Sequence, residues 1–128
     1  MLAVTTGWDH MGEPDGVLAP GGRACGIHAG GEETSVMLAL HPELVRMEQA
    51  RDFISAQQAS ERDFPRLRGH GPVQFGWKMA DLNGDGAAGN AAAGNAEKGH
   101  AIIDHQALGF IDVPRDVHAS DLKRLRNT

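Results

Sequence analysis

Tyrosine is missing altogether from this 128-residue chain, and cysteine occurs once. The lone Cys25 excludes an internal disulfide framework and fits a reducing compartment. Aromatic residues amount to four Phe and two Trp beside 17 Gly. Glycine adds backbone entropy to lose and no side chain to bury, so this balance predicts a thin core, or a piece of a larger one. Basic residues number 12 against 17 acidic ones, and the one basic cluster is Lys123, Arg124 and Arg126 at the end, which argues against nucleic acid as a partner. No apolar run is long enough to span a bilayer, and the N-terminus has neither the charged start nor the long apolar stretch of a signal peptide. No membrane partner is expected, and the cytoplasm is the default compartment.

What is present reads as one folding unit, with 41% hydrophobic content. "MLAVTT" suits a short buried strand, although a core strand at residue 1 is an odd place to begin. The following "GWDHMGEPDGVLAPGGRACG" is a loop punctuated by Gly and Pro, of a length expected only beside a site, and it delivers His28. From Glu32 to Leu40 the chain reads as a helix buried nearly all round, stopping at His41 because Pro42 disfavours helical backbone before it. Residues 42–53 form a polar turn or short helix, and residues 54–72 read as irregular and exposed. "VQFGWKMADL" resembles an extended segment interrupted by Gly76. After a Gly/Ala stretch, residues 96–113 form a second helix with Ile102, Ile103, Ala107 and Phe110 on one face; residues 114–128 read as a polar tail with at most a final helical turn.

Three groups of residues are candidates for chemistry. In "GIHAGGEETSVMLAL" a histidine and two carboxylates stand at the mouth of a helix, where backbone N–H groups keep a carboxylate ionised; a carboxylate beside an imidazole can hold a divalent ion or pass protons. The competing reading is a charged helix start, which is far commoner. "DLNGDGAAGNAA" places Asp81, Asn83, Asp85 and Gly86 at the spacing of a calcium loop, but its twelfth position is Ala92 where a bidentate Glu is required, so a turn held by Asn and Asp side chains is the better reading. His100, Asp104 and His105 lie on the late helix, and only His100 and Asp104 share a face, which reads as a solvated helix surface.

Order and spacing together bring a family into view. "HAGGEETSVMLALHPELVRM" resembles the His-Ala-Gly-x-x-Glu-Thr-Ser signature and following helix of the creatininase (creatinine amidohydrolase) family. "FGWKMADLNGDGAAGN" followed by "AEKGHAIID" is similar to its C-terminal segment, and the resemblance covers roughly residues 1 to 110. It implies an α/β fold: the C-terminal half of a three-layer α/β/α domain with a mainly parallel sheet over residues 1–113, then a polar tail over 114–128. It implies a metal-dependent amidohydrolase that opens a cyclic or linear amide C–N bond of a small molecule, with two divalent ions, Zn or Mn, in a complete site. Glu33 would be a metal ligand or hold the metal shell, His28 would move a proton at the scissile bond, and Thr34 and Ser35 would support the helix start. The complete protein would be a homo-oligomer.

The chain also departs from the pattern. Creatininases proper carry Trp and Asp just before this histidine, packing over creatinine; here Ala24 and Cys25 stand there, which argues against creatinine itself. The Glu-x-His-Gly, bridging Asp and Asn-Gly-His elements of the family's N-terminal half do not occur. These departures lead to the expectation of a chain that starts midway through the family fold and is inactive until the other half is supplied in trans. The alternative is a non-catalytic remnant or small binding domain with at most a weak cation site at the Asp81 to Gly86 loop.

Overall fold

Helices are favoured where a cap coincides with small or apolar residues, and that combination occurs twice here. The computed structural model describes residues 4–19, 26–121 and 123. Helix α1 (Gly31–Leu40) starts from Gly30, whose extended backbone forms the N-cap, and ends against His41 and Pro42 as the sequence requires. Two single 3₁₀ turns, Pro42–Leu44 and Met47–Gln49, lead into strand β1 (Asp52–Phe53). Helix α2 (Gln57–Asp63) and the short α3 (Met79–Leu82) follow, then strand β2 (Gly89–Asn90) and a 3₁₀ turn at Ala91–Ala93. The chain then enters α4 (Ala96–Ala119), capped by Asn95, whose side chain accepts from the Lys98 N–H at 2.8 Å.

β1 and β2 pair antiparallel, Asp52 opposite Asn90 and Phe53 opposite Gly89, and make a two-stranded sheet. Isolated bridges join His28 to Ala88 in antiparallel sense and Arg68 to Gln74 in parallel sense. The expected N-terminal strand falls partly on residues 1–3, outside the described residues; residues 4–6 form no strand. The 3₁₀ turn Trp8–Met11 packs on α4, where Gly109 faces the Met11 side chain.

The centre of the molecule is the crossing of α1 and α4. It is built from main chain and small residues. A Cβ at Gly99 would lie 2.0 Å from the Ser35 carbonyl oxygen, one at Gly94 would lie 2.7 Å from Thr34 Cγ2, and one at Gly89 would lie 2.6 Å from Gly30 Cα. Absent side chains are therefore what let these segments touch. Among the described residues the buried apolar ones are few: Leu82, Ala88, Ala91 and Ile102.

Four expectations change. α1 is not buried all round: Thr34 and Ser35 are its buried residues, whereas Met37 and Leu40 are exposed, because the glycine crossing takes the polar side of the helix. Ser35 also does not tie up a free donor at the start of α1. Its hydroxyl donates to the Gly31 carbonyl and accepts from the Asn95 N–H at 3.1 Å, so it joins the body of α1 to the start of α4. Residues 54–72, expected to be irregular, contain α2, and α4 runs through Pro114 to Ala119 where a tail was expected. The end of α4 is exposed chain, where water can satisfy backbone groups that a core would leave orphaned, whereas the stretch holding α2, expected to be exposed, buries Ser55, Gln57 and Gly69.

Candidate functional site

Positioning of His28 begins with its main chain. Its N–H donates to the Ala88 carbonyl at 3.2 Å and its carbonyl accepts from the Ala88 N–H at 3.0 Å, a reciprocal pair that fixes the residue against the segment entering β2. Ala29 then turns the chain with φ of 55°, left-handed backbone that costs a non-glycine residue about 1 kcal/mol or more. That turn aims the Ala29 N–H at the first turn of α1, where Glu33 Oε2 accepts it at 2.8 Å. The other carboxylate oxygen, Oε1, lies 3.5 Å from His28 Nδ1. The two residues singled out from the sequence are thus brought together, and both side chains remain open to solvent, 59% exposed for His28 and 43% for Glu33.

The imidazole also neighbours Trp77, with ring centroids 6.1 Å apart and planes inclined by 60°. The Trp77 indole N–H donates to the Gly69 carbonyl, and the Gly69 N–H donates to Gln57 Oε1 at 2.6 Å. Sequence reasoning did not place Trp77 or Gln57 beside the histidine. A lone Trp in a Gly-rich, largely polar stretch was the available signal.

Beside Glu33 lies a concavity of about 380 Å³ whose lining includes Ala29, Thr34, Met37, Val45 and Phe53. A second, of about 490 Å³, lies across Phe53 between Gly31, Glu32, Asp52, Arg62 and Lys98. On the exposed turn after α1, Glu43 is held below the usual carboxylate range by its own backbone N–H and by the His41 imidazole at 3.1 Å.

The other sequence candidates are engaged elsewhere. Asp81 Oδ2 accepts from the Lys78 N–H at the start of α3, Asn83 donates to the Ile54 carbonyl and accepts from the Asp85 N–H, and Asp85 pairs with Arg51 at 2.8 Å. These contacts hold turns in place, and Arg51 also lies over the Phe53 ring at 4.9 Å. His100, Asp104 and His105 are exposed along α4. Cys25, Arg124 and Arg126 lie outside the described residues. Among the described residues no three His, Cys, Asp or Glu side chains group closely enough to hold a metal ion, and no helix is long and apolar enough to cross a membrane.

No curated protein sequence matches the chain. Its fold is similar to the crystal structure of a "Putative creatinine amidohydrolase" from Bacteroides fragilis, with a TM-score of 0.65 and 24% identity. That likeness covers 91% of this chain and 43% of the other, so the chain spans less than half the length of the structure it resembles. The family model for creatininase, described as creatinine amidohydrolase, matches residues 1–113. With most of its length matched and the signature histidine and glutamate in contact, the chain belongs to the creatininase family.

Proposed function

We propose that this chain carries the His28 and Glu33 portion of a metal-dependent amidohydrolase centre that hydrolyses an amide C–N bond of a small molecule. The observation that carries the reading is the clasp of the signature itself: Glu33 held by the Ala29 N–H, with its second oxygen turned to His28. One carboxylate and one imidazole fall short of the donor set a divalent ion needs, and the described residues supply no third group nearby. The remaining ligands are those of a creatininase-type N-terminal half. When bound there, Zn or Mn would polarise the carbonyl and acidify a water.

This chain's own contribution follows from its geometry. Glu33 is already oriented by a main-chain donor, so little reorganisation is needed for it to serve as ligand or to support the metal shell. With Nδ1 turned to the carboxylate, His28 keeps Nε2 for a proton at the scissile amide. The neighbouring concavity of about 380 Å³ matches a small amide or lactam in size. The chain is the C-terminal half of a three-layer α/β/α domain with a mainly parallel sheet in this reading, and the complete protein is a cytoplasmic homo-oligomer.

The test combines the chain with a creatininase-type N-terminal half, then measures manganese or zinc content and hydrolysis of small amides. Glu33→Gln keeps the shape and removes the charge, so metal content and rate should fall together. His28→Ala should retain metal and lose about two to four orders of magnitude in rate. A Glu33→Gln protein that kept both metal and rate would reduce the motif to a structural clasp of Ala29.

A further inference from the structure

We propose that Gln57 is a positioning residue for His28, acting through Gly69 and the Trp77 indole. The proposal rests on His28 being the proton-moving group. The His28 main chain is fixed by Ala88, and its exposed ring neighbours the Glu33 carboxylate and the Trp77 indole. Glu33 is held from within the signature. The Trp77 indole is held by its hydrogen bond to the Gly69 carbonyl, and Gly69 is in turn held by Gln57 Oε1.

Three features single out the glutamine in this chain of contacts. Gln57 is 1% exposed, in a helix whose remaining residues face outward or are half-buried. Its backbone N–H is tied by Ser55 Oγ at 3.1 Å, which sets the direction of the side chain. Its amide nitrogen meets no acceptor among the described residues, so burying this side chain sacrifices a donor for the sake of the carbonyl that accepts from Gly69. Gly69 is closely packed: a Cβ would lie 3.1 Å from Gln57 Oε1 and 3.2 Å from Cδ1 of Ile27, the neighbour of His28, so either side chain would have to shift to admit one.

The test is nuclear magnetic resonance on the full-length labelled chain, following the Trp77 indole N–H and the contact between the Trp77 and His28 ring protons. Gln57→Met keeps the length and removes the acceptor. It should speed exchange of the Trp77 indole N–H roughly five- to tenfold, as loss of one hydrogen bond requires, and abolish the ring contact while Gly99 and Ile102 amides stay unchanged. Gln57→Glu keeps an oxygen at the same reach and should restore both signals. An unchanged indole and ring contact in Gln57→Met would overturn the proposal, as would a folded Gln57→Glu protein lacking them. Should Gln57→Met fail to fold, Trp77→Phe decides, since it keeps a ring without the donor: loss of the ring contact supports the proposal, and its persistence overturns it. These readouts do not depend on turnover, so an unaltered rate in reconstituted His28→Ala would remove the catalytic reading while leaving the contact chain to be judged separately.

Discussion

An alanine at position 99 would favour a helix and still harm this protein. Ala exceeds Gly in helix propensity by about 1 kcal/mol, but the added Cβ would stand 2.0 Å from the Ser35 carbonyl oxygen and 2.8 Å from Ala39 Cβ. Main chain cannot yield as the end of a flexible side chain can, so overpacking outweighs propensity. Gly99→Ala should loosen the α1–α4 crossing, read as faster amide exchange at Ile102 and lower helicity of the same chain with the change than without it. At this scale the sequence disclosed the chemistry better than the packing. His28 and Glu33 were brought forward by the resemblance of their signature, since the residues alone read equally as a charged helix start; the structure sets them 3.5 Å apart. Ser35 and Gln57 were not, since polarity marks a residue as exposed unless its partners are known, and theirs lie far along the chain at Asn95 and Gly69.

Elements were legible in proportion to their apolar period and their stops. α1 and the start of α4 announce themselves through Pro42, the Asn95 cap and the Ile102 face. α2 has no such period. Its signal is Ser55 with Gln58 three positions on, a capping pattern in a stretch otherwise rich in polar residues. The continuation of α4 past Pro114 is the clearest failure of a local rule: proline removes a helical N–H and crowds the carbonyl of Phe110, at a cost of about 3 kcal/mol in a helix interior. The last turns survive because they are exposed and Phe110's carbonyl has no core to offend. Pro114→Ala should therefore slow amide exchange across residues 110–119 and raise helicity, with little change at Gly99 or Ile102, as local rather than global stabilisation requires.

On the scale of the whole molecule, the chain exposes 9021 Å² of surface, whereas a compact monomer of 13.6 kDa exposes about 6,600 Å². Leu44, Ile54, Leu108 and Phe110 are all more than half exposed, so much of the apolar content is left uncovered by the described residues. Alone in solution it should bind a hydrophobic dye, associate as concentration rises and melt broadly; a sharp, cooperative transition of a monomer would contradict this. The composition foretold the thin core, but the arrangement that replaces it depends on distant segments and could not be read locally. The glycine crossing also decides what kinds of change this fold can absorb over many generations. Where α1 meets α4 and where β2 meets the start of α1 the specification consists of hydrogens, and a single methyl group at Gly99 or Gly89 forces backbone apart, while one at Gly94 strikes the Thr34 side chain. Two related chains could therefore differ widely in their hydrophobic residues and keep one architecture, with the empty positions as the part of the message that must be copied without error.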